Sequence, residues 1–362
     1  MLTLYLPITK AGGFCCKTKC IFMKFITFAV PCYNSAAYME KCIDSLLVAG
    51  DDAEIIIVND GSCDATAEIA DRYAEKYPNI VKVIHKENGG HGSGVNAGLR
   101  NATGLYYKVV DSDDWLDAAS LKHLLYMIKK LHALRKNVDA FMCNYVYEHV
   151  SDNTQHTMDY RNVFPKNRIF GWKDVGNFRL TQYMMMHTLI IKTQILRDAG
   201  ICLPEHTFYV DIVFILESLP HIRRMCYLDI DLYRYFIGRD DQSVTTANLM
   251  RRIDQYLRVN DIVIKGYDME AAKKIGKGLE HYITHHITVL SATVSTILTM
   301  IGDEEALAKR EAYWENLKNN HPKLYKKIRY RTFAGMTNPQ TKLGTKIVLK
   351  GYKISQKLVK YN

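Results

Sequence analysis

A chain of 362 residues with 48% hydrophobic side chains carries enough apolar material for one large core, which excludes a disordered polypeptide. Its formal charge of +10 suggests a polyanion partner, but residues 323–362 hold eleven Lys/Arg and no Asp/Glu, so the body is nearly neutral. Nine cysteines at 15, 16, 20, 32, 42, 63, 143, 202 and 226 are odd in number and irregularly spaced. That pattern argues against a disulfide framework and for a reducing, cytoplasmic setting.

Residues 1–22 lack the continuous apolar segment of a secretory signal, because Thr9-Lys10-Ala11-Gly12-Gly13 interrupts it, and they read as a non-structural extension. Cys15, Cys16 and Cys20 cluster there without the second Cys/His pair that a zinc site needs. The apolar run Phe25 to Val30, closed by Pro31, reads as a buried strand. A helix capped by Asn34 or Ser35 follows to about Val48. Glu54 to Asp60 repeats the pattern, with a turn at Asp60-Gly61-Ser62 and a helix from Asp64 to Tyr77, stopped by Pro78. Val81 to His85 is a third strand, Gly94 to Ala102 a helix and Tyr106 to Val110 a fourth strand. This alternation predicts an α/β fold with a mostly parallel sheet flanked by helices.

Beyond residue 116 the pattern changes to a long helix (Leu116 to Lys136), a strand (Ala140 to His149) and an aromatic stretch to Trp172. From Leu249 the chain reads as a helical C-terminal region. The apolar segment Ile283 to Ile301 is diluted by His285, His286 and several Ser/Thr residues, so it reads as a buried helix rather than a membrane span. The expected boundaries are 1–22, 23–245, 246–335 and a basic amphipathic tail, 336–362. In that tail Lys342, Lys346, Lys350, Lys353, Lys357 and Lys360 recur at helical spacing beside Leu343, Ile347, Leu349, Ile354 and Leu358. Residues 339–362 therefore suit an anionic membrane surface, a solvated helix or a loose tail, and no nucleic-acid partner is expected.

Ligands of parallel α/β sheets bind beyond the carboxyl ends of the strands. Three such ends carry polar clusters: Pro31-Cys32-Tyr33-Asn34, Asn59-Asp60-Gly61-Ser62 and Asp111-Ser112-Asp113-Asp114. Crowded carboxylates repel unless a cation sits among them, so the last cluster is either a divalent-metal site or an acidic helix cap. Asp60 either turns the chain or meets a ribose or base. Asn88-Gly89-Gly90-His91-Gly92-Ser93-Gly94 is not a Walker loop, yet its amides suit a diphosphate.

Together, Val30 to Asn34, Val58 to Ser62, Glu87 to Gly90 and Val110 to Asp114 resemble the family 2 glycosyltransferases in order and spacing, densely over residues 24–117 and more loosely to 245. The resemblance implies a GT-A fold and an inverting transfer from a nucleotide-diphosphate sugar, UDP-linked by preference, to a glycan or lipid-linked hydroxyl. It implies synthesis of a cell-surface polysaccharide, by an enzyme that is cytoplasmic or peripheral on the membrane's cytoplasmic face. It places Pro31, Tyr33, Asn34, Asp60, Gly61, Asn88, Gly89 and Ser112 at the donor, and Asp111 and Asp113 at ribose and metal (Mg²⁺ or Mn²⁺). Val95 stands where many members have arginine, so Lys86 or His91 takes that place. Asp211, in Phe208 to Phe214, is similar to the family's catalytic base; its alternative is a helix cap. Arg239 resembles a diphosphate-closing residue, and Trp115 and His187 are candidate acceptor contacts. His281, His285 and His286 lack the glutamate of a zinc-hydrolase helix. Two other classes fit parts of the pattern: a nucleotidyltransferase, and a basic nucleic-acid- or membrane-binding protein.

Overall fold

The computed structural model describes residues 23–149, 154–237 and 245–359. The 1–22 extension and Arg239 lie outside the described residues, as does residue 360 onward. The first half alternates as expected: β1 (Ile26–Cys32), α1 (Met39–Leu47), β2 (Ala53–Asp60), α2 (Thr66–Lys76), β3 (Val81–Lys86), α3 (His91–Asn101) and β4 (Tyr106–Val109). Then come β5 (Trp115–Leu116), α4 (Ala118–Ala133), β6 (Ala140–His149), β7 (Thr154–Met158), β8 (Ile169–Phe170), β9 (Leu189–Lys192), α5 (Thr193–Asp198), α6 (Val210–Ser218) and β10 (Met225–Ile237). The rest is helical: α7 (Thr246–Arg251), α8 (Ile253–Gly266), α9 (Met269–Ile275), α10 (Lys277–Ile301), α11 (Glu304–Asn320), α12 (Pro322–Arg331), α13 (Phe333–Met336) and α14 (Lys342–Val359).

The strands form one sheet in the order β3-β2-β1-β4-β9-β6-β10-β5, with β7 on β6 and β8 on β10. Parallel pairing holds across β3, β2, β1 and β4 and again between β6 and β10. Strand β9 is antiparallel to both β4 and β6. The sheet is thus mixed, because β6 returns to β9 through β7, β8 and loops instead of the helical crossover that parallel neighbours require. Every residue of β1 and β2 is buried, which is why both strands read as unbroken apolar runs.

Two helix starts differ from expectation. Asp117 accepts from Ser120 N at 2.9 Å, so α4 begins after Trp115 and Leu116 have joined β5, a pairing that Asp/Ser capping favours. Helix α3 begins at His91, three residues earlier than the glycine spacing suggested. Helix α10 is the axis of the C-terminal region. It is long and apolar enough to cross a membrane, but 78% of its most apolar stretch is buried inside the protein, with Tyr282 Oη accepting from Met184 N at 3.1 Å.

Candidate active site

A cavity of about 540 Å³ opens at the carboxyl ends of β1, β2 and β4 and is lined by Pro31, Tyr33, Asn34, Asp60, Asn88, His91, Asp111, Ser112 and Asp113. The three strand-end clusters therefore do converge. Local hydrogen bonds fix them to one another: Asn34 N donates to Ser62 Oγ at 3.0 Å, Cys63 N donates to Asn34 Oδ1 at 2.9 Å, and the hydroxyls of Ser35 and Ser112 lie 2.8 Å apart. Tyr33 keeps a 55% exposed ring on the rim.

Asp60 is buried at the end of β2. Its Oδ1 accepts from Lys86 Nζ at 2.6 Å and Gly89 N at 3.0 Å, and its Oδ2 from Gly90 N at 2.7 Å. A carboxylate has about four acceptor positions, so one remains for a ligand. The glycine-rich amides that were expected to reach a diphosphate instead hold Asp60. Lys86 is likewise its ion-pair partner. Gly61 (φ +72) permits this packing, because a Cβ there would lie 2.9 Å from Asn88 N. Gly61 and Gly89 shape the loop without lining the cavity.

His91 is the first residue of α3, and its Nε2 lies 2.8 Å from Asp111 Oδ1. Burial works against a charged imidazole, but the carboxylates of Asp111, Asp211 and Asp113 outweigh it and raise the His91 pKa. Burial also pushes Asp111 upward, yet His91, with His187 and Lys108 behind it, draws Asp111 down to about 2. Asp114 has another task. Its Oδ2 accepts from Tyr233 Oη at 2.5 Å and its Oδ1 from Phe236 N at 2.8 Å, tying the turn to β10. Desolvation, reinforced by Asp113 and Asp111, holds its pKa well above the usual carboxylate range.

One ligand atom each of Asp111, Asp114 and His187 lies within 4.8 Å of the others. Since both Asp114 oxygens already serve β10, the oxygen donors that face the cavity are those of Asp111 and Asp113. Hard carboxylate donors beside a cavity large enough for a nucleotide fit a divalent ion. Among the described residues His187 Nδ1 is buried with no hydrogen-bond partner, a further donor near Asp111. Its ring stacks on Tyr233 at 4.5 Å and on Tyr235 at 5.1 Å, and its carbonyl accepts from buried Lys108 Nζ at 2.6 Å.

A second cavity, of about 410 Å³, shares His91, Asp111, Phe208 and Tyr235 with the first and adds Asp211 and His187. Asp211 stands in the first turn of α6, directly after Tyr209, whose φ of +63 is unusual for a bulky residue. The C-terminal helices hold that turn. Phe208 N donates to Gln255 Oε1 at 2.8 Å, Arg258 Nη1 donates to Thr207 Oγ1 at 3.0 Å, and Tyr209 packs edge-on against Tyr256. On the other side His206 N donates to Gly89 O at 2.6 Å and Ser93 Oγ to Glu205 Oε1 at 2.7 Å. Desolvation raises the Asp211 pKa to about 6, against the pull of His91 and with that of Asp111.

Trp115 lines neither cavity; Lys41 Nζ sits 3.0 Å from its ring centroid. His285 Nε2 pairs with the Gln182 carbonyl and His286 Nδ1 with Tyr282 Oη, so these two α10 histidines are partnered inside the protein, while His281 is exposed. Sequence reasoning missed Tyr38, the 206–208 turn and Tyr235 at the first cavity, and the Met184 to Met186 wall of the second. Tyr38 directly precedes α1 and Phe208 lies in the segment of Asp211, while the rest come together only through β9, α6 and β10.

Residues 27–192 match the sequence model of Glycosyl transferase family 2. Glycosyltransferase GlyA of Streptococcus pneumoniae is 29% identical over 259 residues, which are 68% of this chain and 36% of that protein. Poly(ribitol-phosphate) beta-glucosyltransferase of Bacillus spizizenii is 28% identical over 295 residues, 77% of this chain and 43% of that one. The chain thus spans well under two thirds of the length of these relatives. The crystal structure of S. aureus TarS 1–349 in complex with UDP-GlcNAc superposes with a TM-score of 0.65, at 21% identity and 92% coverage of both chains, which supports the fold. With the strand-end clusters converging on one cavity, residues 27–192 carry the sequence of glycosyl transferase family 2, and the chain has a GT-A-like fold.

Proposed function

We propose that the protein transfers a sugar, with inversion, from a UDP-linked donor in the first cavity to an acceptor hydroxyl presented from the second. The observation that carries this reading is the junction itself. The two cavities meet at His91 and Asp111, and Asp211 lies on the second side only. UDP-GlcNAc and UDP complexes of TarS support the donor class, and the poly(ribitol-phosphate) relative supports a cell-surface polymer as the acceptor class.

In this reading Tyr33 stacks on the base, while Pro31, Asn34 and the open acceptor position of Asp60 meet the nucleoside. Ser112 and Asp111 face the ribose. A divalent ion, when held by Asp111 and Asp113, neutralises charge on the diphosphate. His91 supplies positive charge where related sequences have arginine, from an α3 N-terminus that itself favours anions. Asp211 takes the proton of the acceptor hydroxyl as its oxygen bonds to the anomeric carbon and the carbon–diphosphate bond breaks, releasing the nucleoside diphosphate. A carboxyl near pKa 6 is ionised at neutral pH and a better base than an ordinary aspartate.

Residues 23–245 are the transferase domain in this reading. Residues 246–335 brace the base through Gln255 and Arg258, and 336–362 form a basic tail. Helix α14 docks through Tyr352 Oη, 2.9 Å from Thr246 Oγ1. It leaves Leu343, Ile347 and Ile354 exposed by 70%, 62% and 50% beside Lys342, Lys346, Lys350 and Lys353. That stripe suits peripheral contact with an anionic bilayer on the cytoplasmic face.

Calorimetric titration with UDP and Mn²⁺ tests the donor site: binding is expected in the native chain and is weakened in Asp113→Ala. Product analysis separates the nucleotidyltransferase reading, which requires a nucleoside triphosphate and releases diphosphate. Near-native transfer by Asp211→Asn would overturn the base assignment.

A further inference from the structure

The second cavity has two unlike ends. Its polar groups gather at the junction: His91 and Asp111 are shared with the first cavity, and His187 offers a ligand atom within 4.8 Å of one on Asp111. The rest of its lining is mostly apolar: Met184, Met185, Ile212, Ile215, Val289 and Leu290 stand among the rings of Tyr183, Tyr209 and Tyr256. Polar groups on that wall are already paired inside the protein. Thr293 Oγ1 donates to Val289 O at 3.0 Å, and His286 Nδ1 lies 3.0 Å from Tyr282 Oη.

A second sugar ring seated there would bury hydroxyls against methyl and methylene groups, each losing its water without a replacement partner. A hydrocarbon chain loses nothing of that kind and gains contact with unbranched methionines, which adapt to flexible apolar ligands. The outer wall adds a second argument. Leu249 of α7 lines the cavity, and the same short helix is tied through Thr246 to Tyr352 of α14, the helix whose exposed stripe is apolar and lysine-flanked. An apolar cavity wall and a bilayer-type surface are thus joined through one element.

We propose that this cavity receives the hydrocarbon part of an amphiphilic acceptor, with its sugar or other hydroxyl-bearing head held at the junction beside Asp211. The inference rests on the transferase reading for the place of the head, and on the wall's chemistry for the chain. The acceptor class it selects is a lipid-linked one, and a free polysaccharide end is the alternative the test must separate.

The test uses the full chain and monomeric n-dodecyl β-D-maltoside, below its micelle threshold, against maltose, with UDP titrated separately. The dodecyl compound is expected to bind at least about a hundredfold more tightly than maltose, since each buried methylene adds severalfold. Val289→Trp, which fills the cavity, and Leu249→Gln, on the opposite wall, are each expected to remove most of that ratio with an unchanged thermal melt. Ile347→Asp, on the outer face of α14, is expected to keep it. A native ratio near one overturns the inference, as does a full ratio in both cavity variants. Loss of the ratio in Ile347→Asp assigns the chain to the α14 surface and overturns it equally. Failure of UDP to bind while the ratio stands would instead strike the donor reading.

Discussion

The two cavities, proposed to take donor and acceptor, are neighbours built on opposite plans. The first is assembled mainly from the ends of β1, β2 and β4 and the loop before α3, within about 90 consecutive residues, with only the 206–208 turn and Tyr235 added from later in the chain. Beyond the shared junction residues, the second gathers residues 183–187, 208–215, 249–256 and 286–293 from four separate stretches of the chain. Parallel strands order their own loops along one edge, so a nucleotide site comes with the topology. An acceptor site has to be closed by whatever packs over that edge, here β9, α6 and the C-terminal helices. The proposed base, Asp211, belongs to the second plan even though in this reading it acts on the first.

The sharpest way to break that comparison is Asp211→Asn. Transfer is expected to fall by about 10³-fold, measured as kcat with saturating donor, while UDP affinity stays within about twofold. A parallel loss of UDP binding would merge the two sites into one. Asp113→Ala acts on the other side: UDP affinity in Mn²⁺ is expected to drop about 10–100-fold in calorimetry, and to become insensitive to chelator. The pH profile sharpens the assignment of the base. Asp211 must be ionised to accept a proton, so kcat/KM should fall about tenfold per pH unit below its pKa, which lies near 6. An acid limb near the ordinary aspartate value would place the base in an open, solvated setting instead.

Two smaller effects probe the scaffold. Tyr233→Phe removes the hydroxyl that donates to Asp114 and accepts from Asp111 N. It is expected to cost about 1–3 kcal/mol in denaturant unfolding, the usual range for orphaned buried polar groups. Gly94→Ala sets a Cβ 2.9 Å from Pro31 Cβ, where α3 crosses the end of β1. A loss of about 1 kcal/mol is expected there, with a modest rise in KM for donor.

The difference between the sites also explains what could be read in advance. Asp60, Asp111, Ser112 and Asp113 were legible because each follows an apolar run that ends in a turn, and three such runs in register define one rim. The mixed order around β9 was not, since a four-residue apolar strand carries no mark of its direction. The glycine loop was read three residues too long, because α3 starts at His91, and only the fold shows that the Gly89 and Gly90 amides face Asp60. His91 stood in view as a substitute for arginine, and its bond to Asp111 needed α3 to start at that residue. Met184, Met185 and Met186 are buried yet line a cavity that α10 has to arrive to complete.

The bond from His206 N to Gly89 O carries a consequence for anyone recombining such enzymes. It fastens the segment leading to the base onto the loop that fixes the nucleoside pocket, with Glu205 and Ser93 as a second fastening. Donor and acceptor specificities therefore cannot be exchanged as separate cassettes at the boundary near residue 200. A chimera cut there inherits a base whose position was set by another protein's nucleotide loop, and a working exchange has to carry residues 87–94 and 203–211 across together.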